Sequence, residues 1–352
     1  MPPRSQPRTY LVYALILSLA ISTVSCASGR TLANAVPGEA LEQPPEPPTP
    51  LPVAEQALPT PAESVVTPVV AGEAATPEMA PVATAVPAVA PLPATAGAGP
   101  DRYAELKKSI AAVLADLNGE WGIGVVDLAT GDTLLMNADR AYPAASQYKL
   151  LLLYEAYRQI EAGTLQLDQM TRMIDADYAD SIRWDEELKV GDRVAVKGLL
   201  RVIAIQSSNA AAHALNRLMG LSPTAINGAA QQLGLPQTRM PASGEAVTSV
   251  RDLVRFYGML YGKELISPKA SESLMGLLKE QQINDRIPAR LPRGVKVAHK
   301  TGNLPGVVND AGIIFGPRTD VTLIVLNDGA DYEPGTAGIG RIGQLVYNWL
   351  NR

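Results

Sequence analysis

The chain has 352 residues, a formal net charge of −5 and 47% apolar residues, enough for one large domain or two modest ones. Residues 1–30 carry three arginines and no acidic residue, residues 31–100 carry seven glutamates and no basic residue, and residues 101–352 are left with a net charge of −1. Nucleic-acid binding needs clustered positive charge, so this near-neutral body argues against a nucleic-acid partner.

The N-terminus is a targeting segment. Arg4 and Arg8 precede YLVYALILSLAIS, an apolar run of signal-peptide length that is too short for a comfortable membrane span. The run ends at STVSC, and a cysteine in this position resembles a bacterial lipobox, although Thr23 is a less usual residue there. We interpret residues 1–26 as a lipoprotein signal peptide and Cys26 as its lipidation site. The protein would then be exported and lipid-anchored on the outer face of the bacterial cytoplasmic membrane or in the cell envelope; an ordinary signal peptide is the alternative.

Residues 27–100 are rich in proline, alanine, valine, threonine and glutamate and have no apolar periodicity. Proline removes backbone donors and fixes φ, so this composition predicts a disordered, partly polyproline-like linker. A flexible chain of this length spans roughly 50 Å and a fully extended one roughly 200 Å, which is enough to hold a domain away from a membrane.

The body, residues 101–352, changes its periodicity several times along the chain. A helical repeat in DRYAELKKSIAAVLADL precedes two strand-like runs joined by ATGD, and a helix is expected over residues 146–162. Two helices separated by the polar break SSN follow in VKGLLRVIAIQSSNAAAHALNRLMG, and two more in VTSVRDLVRFYGMLYG and SPKASESLMGLLKEQ. The body ends with three strand-like runs, VKVAHKTG, VNDAGIIFG and VTLIVLND, and a closing helix.

This order predicts an α+β fold in which the early hairpin and the three late strands form one five-stranded antiparallel sheet. The first and last helices would cover one face. The helical middle, about residues 143–288, would form an inserted lobe, and a site is expected in the crevice between lobe and sheet.

A serine nucleophile needs a base, and histidine is poorly placed to be that base in this chain. There is no G-x-S-x-G motif, and the two histidines are His213 and His299. His213 lies inside a helical stretch. His299 directly precedes Lys300 on a strand, so the two side chains should point to opposite faces. Both histidines are therefore interpreted as structural residues.

Ser146 and Lys149 are three residues apart at a helix start and should lie on the same side of it. At pH 7 an ordinary lysine is neutral only about once in 2,500, so a lysine base needs a lowered pKa. A helix N-terminus, burial and a second cation each disfavour the ammonium form. Lys300 offers that cation if the fold brings it close. Otherwise Ser146 is a helix cap and Lys149 a solvated charge.

Three short motifs occur in a fixed order: SQYK at 146–149 opens a helix, SSN at 207–209 breaks two helices, and KTG at 300–302 ends a strand. Together they resemble the S-x-x-K, S-D-N and K-T-G motifs of the class A β-lactamases and the related penicillin-recognising serine hydrolases. The resemblance covers about residues 101–352. It implies the serine β-lactamase/D,D-peptidase fold and an acyl-enzyme mechanism.

The resemblance also implies a role for each matching residue in acylation. Ser146 would be the acylated nucleophile, and Lys149 would activate it and relay protons. Ser207 would pass a proton to the leaving nitrogen, and Lys300 would lower the pKa of neighbouring lysine and serine groups.

The remaining matches imply substrate contacts. Asn209 would orient the substrate amide, and Lys300 with Thr301 would hold its carboxylate. Gly302 would permit close backbone approach. The backbone N–H of Asn303 and that of the nucleophile would form the oxyanion hole.

Two departures from the family pattern concern the loops. Ser208 replaces the aspartate of S-D-N, which in the family mainly braces that loop. The E-x-x-L-N loop, whose glutamate activates the deacylating water in class A enzymes, is missing. In the shortened segment LGLPQTRMPASGEAVTSVRDL, Glu245 is the only carboxylate before Asp252, which makes Glu245 the possible deacylation base. Glu280, in EQQIN, imitates the pattern but is interpreted as a solvated charge.

Three functions stay open at this point. The chain is expected to be a serine β-lactamase-like hydrolase, and its deacylation is expected to be slow. The alternatives are a penicillin-binding D,D-peptidase acting on peptidoglycan stem peptides and a non-catalytic wall-associated lipoprotein. The expected partner is a small-molecule β-lactam or a stem peptide, with membrane contact through the lipid anchor only. We expect no metal or other cofactor, and a monomer.

Overall fold

The computed structural model describes residues 103–181, 187–241 and 244–352. The predicted signal peptide, the lipidation site Cys26 and the linker up to residue 100 lie outside the described residues. Those three interpretations therefore stay predictions from the sequence.

A five-stranded antiparallel sheet forms the centre of the fold, with the strand order β2-β1-β9-β8-β7. Almost every residue of its three inner strands is buried, because both faces of the sheet are covered. β7 forms one edge and is paired on one side only, with β8. The strands are β1 (Glu120–Asp127), β2 (Thr133–Met136), β7 (Lys296–Leu304), β8 (Val307–Phe315) and β9 (Val321–Asp328).

Two small antiparallel pairs lie outside the main sheet. β3 pairs with β6, and this pairing places the segment before Ser146 beside residues 247–248. β4 pairs with β5. These short strands are β3 (Tyr142–Pro143), β4 (Met170–Arg172), β5 (Arg193–Ala195) and β6 (Val247–Thr248).

Eight α-helices occur among the described residues, and none is both long and apolar enough to cross a membrane. Three short 3₁₀ turns add to them, at Ala145–Tyr148, Asp175–Tyr178 and Ile287–Arg290. The α-helices are α1 (Ala104–Leu114), α2 (Lys149–Glu161), α3 (Val196–Gln206), α4 (Asn209–Met219), α5 (Pro223–Gln232), α6 (Val250–Tyr261), α7 (Pro268–Lys279) and α8 (Tyr332–Leu350).

Two apolar cores hold the layers together. On one face, α1 and α8 pack on the sheet through residues such as Ile110, Ile339 and Val346, all fully buried. On the other face, helices α2 to α7 enclose a larger core that includes Leu153 and Ile203. The fold predicted from the sequence is therefore confirmed, including the terminal helices on one face and the inserted helical lobe.

The structure differs from the sequence prediction in local elements. The helix expected from residue 146 begins as a 3₁₀ turn and becomes α-helical only at Lys149. The β4–β5 pair was not expected. Helix α5 was also missed, although Ser222 caps it and Pro223 is its first residue, a combination typical of helix starts.

Candidate active site

A cleft with a volume of about 340 Å³ runs between the edge strand β7 and the helical lobe. The described residues that line it are Ser146, Asp180, Ser181, Gln206, Ser207, Ser208, Asn209, Ile283, Thr301, Gly302 and Asn303. All three sequence motifs therefore meet in one place. The predicted crevice between sheet and lobe is confirmed.

Ser146 is held on a turn whose backbone is tied on two sides. The preceding residue, Ala145, has φ +46°, a left-handed conformation that is strained for a residue with a side chain. Ala144 donates its N–H to the carbonyl of Ala246 at 2.7 Å, and the Asn309 side chain donates to the carbonyl of Pro143 at 2.8 Å. These bonds hold the strained turn in place.

Gly302 allows the edge strand to approach this turn. A Cβ at position 302 would lie 3.1 Å from the Ala144 carbonyl oxygen, the Ala145 Cβ and the Ser146 nitrogen. The Gln147 side chain adds a direct link by donating to the Lys300 carbonyl at 2.5 Å. The glycine of the KTG motif is thus explained by backbone proximity.

Lys149 is fully buried and points at the break between α3 and α4. Its Nζ donates to the Ser207 carbonyl and to Asn209 Oδ1, each at 2.5 Å. Ser207 ends α3 with φ +62°, and this left-handed conformation turns the chain so that residues 207 and 209 both face the lysine. Lys149 Nζ also lies 5.9 Å from the centre of the Tyr148 ring.

Lys300 reaches the same serine from the sheet side. Its Nζ is 2.7 Å from Ser207 Oγ and 2.9 Å from the Thr301 carbonyl, while Lys149 Nζ is 3.5 Å from that Oγ. Burial holds the pKa of Lys300 well below its usual value, and the charges of Lys149 and Arg286 lower it further, against the opposing charge of Asp310. Two buried lysines therefore meet at the Ser207 hydroxyl, so the fold does bring Lys300 close to Lys149, the condition that the sequence left open for a lysine base.

Both histidines have structural contacts, as predicted. His299 is fully buried, and its two ring nitrogens lie 2.8 Å from Asp310 Oδ1 and 3.2 Å from Asn284 Oδ1. His213 is partly exposed and bonds Asp180 Oδ1 at 2.8 Å. Neither histidine is bonded to Ser146 in the described structure.

Sequence reasoning missed two charged residues around the cleft. Arg286 is fully buried behind Lys300 and donates to the Asn309 carbonyl at 2.9 Å. Asp180 lines the cleft itself. Nothing local in the sequence distinguishes either residue from an ordinary surface charge, because both gain their positions through contacts with residues distant in the chain.

The loop residues behave differently from the motif residues. Ser208, in place of the family's aspartate, caps α4 by accepting the Ala211 N–H at 3.0 Å. Glu280 is exposed and lies 3.5 Å from Arg201, which agrees with the interpretation as a solvated charge. Glu245 is exposed and does not line the cleft, although its neighbour Ala246 bonds the chain just before Ser146.

The described residues contain no group of three side chains that could hold a metal ion. The functional groups in and directly beneath the cleft are two amines, hydroxyls, amides and the carboxylate of Asp180. Such a set can activate a serine, stabilise an oxyanion and protonate a leaving nitrogen.

Comparison with known proteins gives the same picture. A family model described as the beta-lactamase enzyme family matches residues 105–350. A β-lactamase of Streptomyces lavendulae is 28% identical over 266 residues, covering 69% of this chain and 86% of the relative. The crystal structure of a β-lactamase from Sphaerobacter thermophilus matches with a TM-score of 0.65 at 26% identity, over 70% of this chain and 97% of that one.

A structure of PBP-A shares the fold, with a TM-score of 0.64 at 23% identity over 69% of this chain and 95% of the other. The family match spans most of the chain and includes every element that builds the cleft. The chain belongs to the beta-lactamase enzyme family.

Proposed function

We propose that this protein is a serine β-lactamase-like hydrolase that opens the β-lactam amide bond by acylating Ser146. The observation that carries this proposal is the convergence of Lys149 and Lys300 on Ser207 in the cleft that Ser146 lines. The names of the relatives, which are β-lactamases, support the same substrate class.

Acylation begins with proton transfer from Ser146 to a neutral Lys149. A neutral lysine amine has two N–H bonds and one lone pair, so it can keep its bonds to the Ser207 carbonyl and Asn209 Oδ1 while it accepts a proton. Ser146 Oγ then attacks the carbonyl carbon, and the backbone N–H groups of Ser146 and Asn303 stabilise the oxyanion.

Collapse of the tetrahedral intermediate breaks the carbon–nitrogen bond and leaves an ester on Ser146. The departing nitrogen takes the proton of the Ser207 hydroxyl, and the proton held by Lys149 replaces it. The 3.5 Å and 2.7 Å distances from the two lysine Nζ atoms to Ser207 Oγ support this relay, because they are short enough for proton transfer along hydrogen bonds.

Lys300 and Thr301 bind the substrate carboxylate in different ways. Lys300 is fully buried, whereas Thr301 lines the cleft above it. In this proposal the threonine hydroxyl contacts the carboxylate, and the ammonium of Lys300 supplies the attracting charge from below.

Deacylation requires a water molecule and a base, and the cleft is less well equipped for this step. Asp180 is the only carboxylate among the described lining residues, and it is already bonded to His213. Glu245 does not line the cleft. We therefore expect acylation to be faster than hydrolysis of the ester, so that the acyl-enzyme accumulates.

The same observation favours a second function, that of a penicillin-binding D,D-peptidase acting on stem peptides. Such an enzyme uses the same acylation step on a peptide ending in D-alanyl-D-alanine. Release of D-alanine from a stem peptide would support the peptidase, and multiple turnovers of a chromogenic cephalosporin would support the β-lactamase.

Acylation itself is tested by intact-protein mass spectrometry after mixing with benzylpenicillin. We expect an adduct of one penicillin mass on the wild-type protein and none on Ser146→Ala. A wild-type protein that stays unmodified would contradict the proposed function.

Export and lipid anchoring through Cys26 are proposed on the sequence of the first 26 residues alone. Fractionation of cells that express the protein, with Cys26→Ser as the control, tests them. Recovery of the wild type in the soluble fraction would contradict anchoring. That the protein is a monomer and that it needs no metal or other cofactor stay predictions.

A further inference from the structure

The electrostatics of the cleft are asymmetric. Lys149 and Lys300 lie beneath its floor and are fully buried. Among the described residues that line the cleft wall, Asp180 alone carries a charged side chain. The Asp180 side chain is 60% exposed, so it remains accessible to solvent and to a bound substrate. Two amines therefore lie under one part of the cleft, and a carboxylate lies at its rim.

Asp180 is fixed to the helical wall of the cleft by two contacts. Its backbone carbonyl accepts a hydrogen bond from the Asn209 side chain at 3.3 Å, and its Oδ1 is bonded by His213 Nε2 at 2.8 Å. Its second carboxylate oxygen has no hydrogen-bond partner among the described residues.

The charge of Asp180 is felt inside the site. Burial, with a contribution from Asp180, raises the pKa of Tyr148 to about 12, and Tyr148 is two residues from the nucleophile. Glu187 adds a second negative charge at the rim, because its carboxylate accepts the side chain of Gln206, a lining residue, at 2.8 Å.

A substrate bound in this cleft is oriented by these charges. Its carboxylate is drawn towards Thr301 and the buried Lys300, on the strand wall. Its acyl group then lies across Ser146 towards the helical wall, where Asn209 and Asp180 are linked. From this geometry we infer that Asp180 is a specificity-determining residue that selects acyl groups bearing an ammonium group. The inference rests on the proposed function.

Three penicillins that differ at one carbon of the acyl side chain provide the test. Benzylpenicillin is neutral there, ampicillin carries an ammonium and carbenicillin a carboxylate. The rate constant of Ser146 acylation is measured for each by intact-protein mass spectrometry, with the wild type and Asp180→Asn. Asparagine keeps an oxygen that can accept from His213 and removes only the charge.

We expect Asp180→Asn to lower the ampicillin-to-benzylpenicillin ratio of acylation rates by about threefold to fivefold, the upper part of the range for an exposed ion pair. The carbenicillin-to-benzylpenicillin ratio should rise. Asp180→Glu should retain most of the wild-type preference. Salt at about 1 M should weaken the ampicillin preference of the wild type, because it shortens the Debye length to about 3 Å.

The matched control is Asp116→Asn, which removes the same charge from an exposed position beyond the end of α1, a helix that packs on the opposite face of the sheet. Both ratios should keep their wild-type values in this variant. The inference is overturned if Asp180→Asn leaves both ratios unchanged, whether the three rates stay the same or all change by one common factor. If none of the penicillins acylates the wild type, the proposed function fails, and this inference falls with it.

Discussion

The two sides of the cleft differ in how tightly they are built. On the acylation side, Lys149 and Lys300 are fully buried, and both meet Ser207. On the side where class A enzymes carry the deacylating glutamate, the segment is short and Glu245 is exposed. The difference shows that the groups that form an acyl-enzyme and the groups that hydrolyse it are held by different parts of the fold. In this chain only the first set is buried and tightly bonded.

The burial on the acylation side is costly for stability, which is why it indicates function. Lys300 has no carboxylate bonded to its Nζ among the described residues; its acceptors are the Ser207 hydroxyl and the Thr301 carbonyl. A buried ammonium without a paired charge is unfavourable, and two such groups repel each other. A fold that needed only stability would place apolar side chains at these positions.

Replacing Lys149 by methionine should have the largest effect on the acylation side. Methionine fills a similar volume but cannot take the proton of Ser146, and loss of a general base typically costs about 10²-fold to 10⁴-fold in rate. The acylation rate constant for benzylpenicillin, followed by mass spectrometry, measures the loss. An acylation rate within tenfold of the wild type would show that another group activates the serine.

Substituting Gly302 by alanine tests whether the acylation side depends on close backbone approach. The new Cβ would contact three atoms of the 144–146 turn at 3.1 Å, so the turn or the strand must move by a few tenths of an ångström. We expect about tenfold slower acylation, and about 1 kcal/mol or more lost from the free energy of unfolding, as in other overpacked sites.

Gly276→Ala is the control for this substitution. Gly276 lies in α7, and a Cβ there would meet nothing within 4 Å. Alanine in a helix interior should stabilise the protein by about 0.5–1 kcal/mol and leave acylation unchanged. Equal effects of the two substitutions on the acylation rate would remove the argument for close approach at position 302.

Around the cleft, the sequence predicted the motifs and the breaks between elements better than the backbone conformation. The SSN motif predicted where α3 gives way to α4, because periodicity changes there and the residue types are distinctive. The KTG motif was expected to end a strand, but β7 extends two residues farther, to Leu304. The left-handed backbone at Ala145 and Ser207 could not be predicted, since neither residue is glycine and tertiary contacts impose the conformation.

The charged residues around the site were the other limit. Arg286 and Asp180 have no local signature. The guanidinium donates to Asn309, in a strand that follows it in the chain, and Asp180 is held at the cleft by bonds to α4. Helix α5, in contrast, could have been predicted from its start, because Ser222 is a typical cap residue and Pro223 a typical first residue.

The pH dependence of stability measures the cost of burying Lys300. Its pKa is lowered in the folded state, so the unfolded chain binds more protons between that lowered pKa and the ordinary value near 10.5. The free energy of unfolding should therefore rise with pH across this window on account of Lys300, and the stability lost to burial is greatest below it.

Lys300→Met should flatten this rise, and the comparison is made by urea denaturation from pH 6 to about 9.5, below the range in which tyrosines ionise. The variant should gain most, relative to the wild type, at the acid end of the window. Parallel curves for the two proteins would mean that Lys300 titrates alike when folded and unfolded, and the electrostatic account of the acylation side would be wrong.

The smallest effect is expected on the other side of the cleft, from Glu245→Gln. Glu245 is exposed and does not line the cleft, so removing its charge should change the lifetime of the benzylpenicillin acyl-enzyme by less than about twofold, the scale of a surface substitution. The lifetime is read from the decay of the adduct mass after excess penicillin is removed. A much longer lifetime in the variant would identify Glu245 as the base that activates water. The segment that carries Glu245 would then have to move towards the ester in the acyl-enzyme. The hydrogen bond from Ala144 to Ala246 already holds the next residue of that segment close to Ser146. An unchanged lifetime would mean that Glu245 takes no part in hydrolysing the ester, so that the side of the cleft with fewer buried contacts also supplies no base.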